Sequence, residues 1–216
     1  MPLIWSLYCC FCDHAFFFFL LFAGGFVEWD KGDENGKLSC AEQLRGKKYW
    51  MQLCVITAVV STERKEVSST EGMRRSVATS PLYARWLEET GPHLMRMRSA
   101  IKKRAFDEVG QIAEASSDLM HEVAENAVPP VVYRSEKTRR IMAEVKRLRA
   151  EKNMSVYYSV DAGPQVKVLC LRKEMGRVNK ILQQMPDVIY TIKNWIGSSA
   201  ACVDFSLVDD AMLRNL

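Results

Sequence analysis

A single aspartate, Asp161, lies in the stretch SVYYSVDAGPQVKVLCL, residues 155–171. The β-branched and apolar residues on either side predict two strands joined by a sharp turn at DAGP. Gly163 permits a positive φ and Pro164 has no N–H, so backbone groups of the turn point outward around the carboxylate. Two interpretations follow: the carboxylate caps its own turn, which spacing alone favours, or it takes part in chemistry on a bound substrate.

A second candidate site is the stretch SSTEGMRR, residues 68–75. Ser68 and Glu71 have the spacing of a capping box, so a short helix is predicted to begin here and to end before the next proline. Hydroxyl and N–H groups at a helix N-terminus form an anion site, and Arg74 and Arg75 follow one turn later. The alternative is plain capping, since Glu71 would repel a phosphate in the same turn. On the residues alone, both interpretations stay open.

Other polar residues are weaker candidates for a catalytic or metal site. Asp118 and His121 are three residues apart on a predicted helix, but no Ser or Cys nucleophile has recognisable triad spacing, so a partly buried structural histidine is favoured. A cysteine cluster, CCFCDH at residues 9–14, has no second ligand pair at the spacing of a thiolate metal site. No metal site is predicted, and seven cysteines in total argue against a disulfide framework.

The elements that must position these residues differ in pattern along the chain. LCVITAVVS, residues 53–61, predicts a strand buried on both faces, and the polar residues 28–38 predict a loop. Strands at both ends of the chain with helices between them indicate an α+β fold, with helices packed on one face of a small, mostly antiparallel sheet. Further elements are predicted as helices at about 82–104 (kinked or broken at Gly91–Pro92), 106–127, 135–152 and 175–184, and a strand near 187–192.

Composition and charge limit the classes of function that the chain could have. The chain has 216 residues, 48% of them apolar and 26% charged, as in ordinary globular proteins. Its net charge of +4 is small and scattered, which argues against nucleic acid and favours an anionic small molecule. Residues 1–27 hold two apolar runs separated by Asp13 and His14, each shorter than the roughly 20 residues of a membrane-spanning helix. They also lack the basic start of a signal peptide, so a membrane anchor is an alternative that is not favoured.

Four stretches together resemble diphosphomevalonate decarboxylase, in order and in rough spacing. They are GGFVEW (24–29), VSSTEGMRRSVATSPLY (67–83), PPVVY (129–133) and YSVDAGPQV (158–166). That family belongs to a superfamily of small-molecule kinases, and the resemblance runs from about Gly24 to Leu171. It implies the fold of the carboxy-terminal half of that superfamily, and a cytoplasmic enzyme of the mevalonate pathway of isoprenoid and sterol biosynthesis.

The resemblance also implies a mechanism. ATP, with Mg²⁺, phosphorylates the tertiary hydroxyl of mevalonate 5-diphosphate, and loss of phosphate and carbon dioxide then gives isopentenyl diphosphate. Asp161 matches the family's catalytic aspartate, which accepts the hydroxyl proton as transfer proceeds, because an alcohol is too weak an acid to be ionised beforehand. Ser68, Ser69 and Thr70 match the loop that holds the substrate's diphosphate, at a helix N-terminus.

Departures from the family pattern are equally informative. Gln165 stands where the family usually has Asn, and IAEASSDLMH (112–121) is matched to a Met-x-Asp-Ser-Asn-x-x-His run through Ser116 and His121, with Ala115 in place of Asp. The Gly- and Ser-rich ATP loop is absent. The arginine that grips the substrate's carboxylate falls on Leu20, which cannot make charge-assisted hydrogen bonds.

Residues 1–22 are therefore expected to be foreign to the fold, and 23–216 to form the carboxy-terminal half of a decarboxylase. A kinase-only relative is disfavoured, because such kinases usually carry a Gly-Ala-Gly-like turn in place of DAGP. The remaining alternative is an inactive, membrane-attached or scaffolding protein. Because half of a two-half fold leaves its cleft-facing surface uncovered, the isolated chain is expected to aggregate or to form a homodimer.

Overall fold

The computed structural model describes residues 3–4, 24–30 and 40–198, which form two antiparallel sheets and five α-helices. The elements are β1 (Leu3–Ile4), β2 (Phe26–Asp30), β3 (Cys40–Arg45), a 3₁₀ turn (Lys47–Trp50), β4 (Leu53–Val59), α1 (Ser69–Thr79), α2 (Tyr83–Lys103), α3 (Phe106–Glu125), α4 (Glu136–Lys152), β5 (Val156–Val160), β6 (Val166–Leu171), α5 (Arg172–Gln184) and β7 (Tyr190–Trp195). The small sheet has the order β1-β2-β3, and the main sheet has the order β5-β6-β4-β7.

Most predicted elements are confirmed. β5 and β6 form the expected hairpin around DAGP, with Val160 paired to Val166, and β4 is an inner strand of the main sheet. The helices begin where capping residues allow: the Ser68 hydroxyl accepts a hydrogen bond from the Glu71 N–H, and the Ser135 hydroxyl accepts one from the Thr138 N–H.

Several local expectations are wrong. Helix α2 continues through Gly91 and Pro92 without a break, because proline removes only one N–H and neighbouring turns keep their bonds. Gly163 does not use the positive φ that glycine permits, which does not contradict the expectation for that residue; among the described glycines, only Gly24 and Gly25 have a positive φ. Part of the expected loop at 28–38 belongs to β2, and the strand β3 was not predicted because CAEQLR lacks apolar alternation.

The α+β class and the antiparallel sheet are confirmed, but the helices pack on both faces of the main sheet rather than on one. One core joins α4 and α5 to the side chains of Val156, Tyr158 and Val160 on β5. A second core joins α2 and α3 to the opposite face of the same strand through Tyr157. Successive side chains of a strand point to opposite faces, so β5 contributes to both cores. The apolar run of β4, which predicts burial on both faces, was the sequence signal for this second layer.

Strand β5 lies at one edge of the main sheet, and helix side chains satisfy its outward backbone groups. The Tyr158 N–H donates to the Glu114 carboxylate of α3 at 3.1 Å, and the Val160 N–H donates to the Ser117 hydroxyl at 3.0 Å. On the α4 side, Arg149 donates to the Val156 carbonyl at 2.7 Å. An edge strand with unpaired groups would be open to association, so α3 and α4 close this edge.

The opposite edge, β7, is not covered by any residue that the structure describes. Tyr190, Ile192 and Trp195 are 49%, 45% and 52% exposed. Through its register with β4, Ile192 lies beside Thr57 on the face that carries α2 and α3, yet its exposure shows that those helices do not cover it. None of the helices within the described ranges is both long and apolar enough to cross a bilayer.

The expectation that residues 1–22 are foreign to the fold stays a prediction. Leu3 and Ile4 pair with Trp29 and Glu28 as β1, and the other residues of that segment lie outside the described residues. Cys9, Cys10, Cys12 and Leu20, on which sequence interpretations depend, lie there too.

We expect Ile192→Lys to weaken self-association of the isolated chain about tenfold, because it removes burial of an exposed apolar side chain from an open sheet edge. Sedimentation velocity across a concentration series measures this. Met95→Lys is the matched control, since Met95 is 64% exposed and lies on helix α2 rather than on a strand of the main sheet. Equal effects of the two substitutions would exclude β7 as the association surface.

Candidate functional site

The hairpin turn at residues 161–165 is held from three sides. The Thr138 hydroxyl at the start of α4 donates to the Pro164 carbonyl at 2.7 Å. Gln165 accepts from the Val60 N–H at 2.8 Å and donates to the Ser61 carbonyl at 2.6 Å, which ties the turn to the end of β4. The oxygen and the nitrogen of the Gln165 side-chain amide both bond to backbone groups. Gln165 therefore has a structural role at the position where the family usually has Asn.

The ammonium group of Lys65 joins the two stretches that the sequence singled out. It donates to the Ser69 hydroxyl and to the Ala162 carbonyl, each at 2.8 Å. The N-terminus of α1 and the turn that carries Asp161 therefore lie within two hydrogen-bond lengths of one another. The same ammonium lies 5.8 Å from the centre of the Tyr133 ring, a cation–π distance.

At the N-terminus of α1, Glu71, whose negative charge would repel a bound anion, is paired with two arginines. Arg74 makes two bonds to the Glu71 carboxylate, at 2.8 and 3.0 Å, and Arg75 makes a third at 3.2 Å. Hydrogen bonds from Arg74 and then Arg75 lower the pKa of Glu71, so this carboxylate stays charged with its charge balanced. The arginines thus neutralise Glu71, and the cation at the helix N-terminus itself is Lys65.

The Asp161 carboxylate contacts the ammonium of Lys167 on β6. Both side chains are partly exposed, 22% for Asp161 and 27% for Lys167. Beside them, a methyl group added at Gly163 would meet no atom of the described residues within 4 Å. The turn therefore has open space at Gly163, two residues from Asp161.

Behind the turn, α3 holds the last residue of β5. The Ser117 hydroxyl donates to the Val160 carbonyl at 3.1 Å, and His121 Nε2 contacts the same oxygen at 3.0 Å. A carbonyl oxygen only accepts, so Nε2 carries the proton and Nδ1 is the unprotonated nitrogen. That buried Nδ1 is without a hydrogen-bond partner within the described part of the chain.

His121 is the buried structural histidine that the sequence favoured. Burial, reinforced by the Arg134 cation, lowers the pKa of His121 to about 4, so the ring is neutral at neutral pH. Asp118 has other partners: it accepts from Arg134 at 3.1 Å and from the Tyr158 hydroxyl at 2.8 Å.

Tyr133, from the PPVVY stretch, connects the two walls of the site. Its hydroxyl donates to the Ser68 carbonyl at 2.9 Å, and its ring meets His121 edge to face with centroids 6.3 Å apart. A Cβ at Gly72 would lie 2.0 Å from this hydroxyl, so only glycine fits where α1 crosses Tyr133. The glycine of SSTEGM therefore has a packing reason.

The structure brings Ser69 and the Asp161 turn together, and places Ser68 and Thr70 beside them on the exposed start of α1. It corrects the match made through Ser116: the serine that faces β5 is Ser117, four residues before His121 and on the same helical face. Counting back from His121 along the family run would have found it.

Lys65 and Lys167 were missed by sequence reasoning. Lys65 lies three residues before the helix cap Ser68, in a polar loop. A lysine among other charged loop residues does not indicate a site. Lys167 interrupts an otherwise apolar strand, and that interruption was the available signal. Among the described residues, no three His, Cys, Asp or Glu side chains lie together as a metal ion would require.

Comparison with known proteins identifies the family to which this chain is similar. The model for the mevalonate 5-diphosphate decarboxylase C-terminal domain matches residues 55–208. The diphosphomevalonate decarboxylase of Bos taurus is 38% identical over 151 residues, covering 68% of this chain and 38% of the relative. The Homo sapiens protein of the same name is 37% identical with the same coverage. The chain thus spans about two fifths of the length of these curated relatives.

Solved structures agree in fold. The mevalonate diphosphate decarboxylase of Staphylococcus aureus matches with a TM-score of 0.75 and 29% identity, covering 82% of this chain and 54% of that chain. MDDEF in complex with MVAPP, AMPPCP and magnesium matches with a TM-score of 0.76 and 32% identity, again over 82% and 54%.

We expect Gly72→Ala to lower the free energy of unfolding by about 1–3 kcal/mol, because the added methyl group overlaps the Tyr133 hydroxyl. Urea denaturation at neutral pH measures the change. Gly176→Ala in α5 is the matched control: a Cβ there meets nothing within 4 Å, so it should stabilise the helix by about 0.5–1 kcal/mol. Similar stabilities for the two variants would contradict the described packing.

A pH-dependent stability is expected from His121. As pH falls below 6.5 the unfolded chain binds a proton at this residue, whereas the folded chain does so only near the lowered pKa of about 4. The stabilisation is complete above pH 6.5 and is lost on acidification, by about 2–3 kcal/mol between pH 7 and 4.5. His121→Gln should lack this component in urea titrations, and the two pH curves should run parallel from pH 7.5 to 8.5. A variant that keeps the full acid-side slope would refute the assignment.

Proposed function

We propose, since the chain belongs to the mevalonate 5-diphosphate decarboxylase family as its carboxy-terminal domain, that it supplies the general base and the diphosphate site of an ATP-dependent decarboxylase. The substrate is mevalonate 5-diphosphate and the product isopentenyl diphosphate. Curated relatives carry the name of this activity, and MDDEF forms a complex with MVAPP, AMPPCP and magnesium. The activity is that of a longer protein, of which this chain corresponds to about two fifths.

One observation carries the proposal: Lys65 bonds both the Ser69 hydroxyl and the Ala162 carbonyl. A small molecule at the start of α1 therefore lies next to the turn of Asp161. The first N–H groups of a helix have no partner within the helix, and the helix dipole adds a partial positive charge. Together with the Ser68, Ser69 and Thr70 hydroxyls and the Lys65 ammonium, they suit a diphosphate.

Asp161 has the properties of the base. Its carboxylate is partly exposed and lies on a turn with open space at Gly163, which α4, the end of β4 and Lys65 hold in place. In this position it accepts the proton of the substrate's tertiary hydroxyl as that oxygen becomes bonded to phosphorus. Rigid support matters because general-base catalysis requires the proton acceptor within hydrogen-bond distance of the hydroxyl.

ATP, with Mg²⁺, supplies the phosphoryl group that converts the hydroxyl into a leaving group. The described residues contain neither a Gly- and Ser-rich phosphate loop nor a cluster suited to a metal ion, so we assign neither group a residue of this chain. By the same family resemblance, we place the protein in the cytoplasm.

The test is carbon dioxide release from labelled mevalonate 5-diphosphate and ATP, in a full-length protein in which this chain follows the amino-terminal half of a curated relative. Asp161→Asn should lower the rate by about 10²–10⁴-fold, the usual contribution of a general base. Asp187→Asn, the same change at a surface ion pair with Arg140, should have little effect. Release that survives Asp161→Asn removes the role of this carboxylate.

A further inference from the structure

Lys167 occupies a strand position at which an apolar residue would be expected. It lies in β6, an inner strand of the main sheet, between the buried residues Val166 and Val168. Two residues further on the same face, Leu169 is fully buried against the helices. Lysine is rarely buried in such a setting unless it is paired.

The pairing partner is Asp161, the residue to which we assign the base. A purely structural role at this position would be served at least as well by an apolar side chain, since ion pairs of this exposure add little to stability. The lysine therefore contributes something that packing does not require, namely a fixed positive charge against one carboxylate.

The register shows that this end of the sheet face is polar. Lys167 lies directly opposite Ser159 on β5 and opposite Thr57 on β4. The Ser159 hydroxyl is fully buried, and its oxygen has no hydrogen-bond partner within the described ranges. Side chains directly opposite each other in an antiparallel pair are neighbours, so a polar oxygen lies beside Lys167 on this face. The face thus changes from apolar, at Leu169, to polar where it approaches Asp161.

Other titratable and charged groups that the structure describes near the turn have partners of their own or are neutral. Lys65, from the loop before α1, bonds the backbone of Ala162 and the hydroxyl of Ser69. From α3, His121 bonds the Val160 carbonyl and is neutral at neutral pH. Behind it, Arg134 is paired with Glu125. From α4 the contacting group is the neutral hydroxyl of Thr138.

We infer that Lys167 is a positioning residue, which keeps the Asp161 carboxylate ionised and oriented while an anionic substrate binds beside it; the catalytic part of this inference rests on the proposed function. Negative charges brought next to a carboxylate favour its protonated form, and a protonated Asp161 cannot accept a proton. A fixed ammonium on the sheet side offsets that effect. It also leaves the opposite side of the carboxylate open to the substrate.

The direct test needs no turnover. In the 216-residue chain with ¹³C-labelled aspartate side chains, the Asp161 signal is assigned by its loss in Asp161→Asn and titrated with pH. We expect Lys167→Met to move the midpoint of the Asp161 titration about one unit upward, because it removes the adjacent opposite charge. Lys167→Arg should leave the midpoint near that of the unchanged chain. Lys193→Met, the same substitution on the exposed strand β7, is the matched control.

An unchanged midpoint in Lys167→Met, or an equal shift in Lys193→Met, overturns the inference. Circular dichroism checks folding of each variant, and Lys167→Gln replaces the Met variant if that one unfolds. In the full-length protein, the acid limb of the pH–rate profile should move upward in Lys167→Met and return with Lys167→Arg; a lower rate with an unmoved acid limb would mean a structural role only. If the carboxyl midpoint shifts but carbon dioxide release survives Asp161→Asn, the ion pair stands and the proposed function of Asp161 fails.

Discussion

The site depends on one constraint, that the turn between β5 and β6 is held by the elements around it. Four residues impose it: Thr138, Gln165, Lys65 and, through Val160, Ser117. Each of them bonds a backbone group, and Lys65 also bonds the Ser69 hydroxyl, which links the turn to α1. Backbone atoms of a short turn move together, so these bonds restrict the direction in which the Asp161 carboxylate projects.

This arrangement divides the roles between the two faces of the hairpin. The face toward α4 and α5 is fully apolar and supplies stability through Val156, Tyr158 and Val160. The other face is apolar only at the end distant from the turn, where Tyr157 and Leu169 join the second core. At the turn it carries Lys167 and Ser159. A sheet covered on both faces can therefore still present a polar group to solvent at one end.

Much of the fold could be predicted, because the helices of this chain are long and clearly bounded. Ser68 and Ser135 mark two of the helix starts, and the turn signal at DAGP separates two β-branched strands. The assignment of helices to one face was wrong although the sequence held a signal against it: the apolar run of β4 is typical of a strand buried on both faces, which requires a second layer.

Less of the site could be predicted. Asp161 and the start of α1 were found through turn and cap chemistry, which is local in sequence. Lys65 and Lys167 act on groups 97 residues away and across a strand pair, respectively, so their partners exist only in the folded chain. Ser117 was one position from the residue chosen, an error that the period of a helix corrects once the face toward β5 is known.

The bond between the Val160 N–H and the Ser117 hydroxyl has a consequence for dynamics. Most amides of a strand exchange with deuterium when the strand separates from its neighbour, but this one is protected by a helix. Its exchange rate therefore follows the lifting of α3 from the sheet, independently of sheet opening. Because Ser117 of α3 is one of the groups that hold the turn, this amide reports how often that support of the adjoining carboxylate is lost in the resting protein.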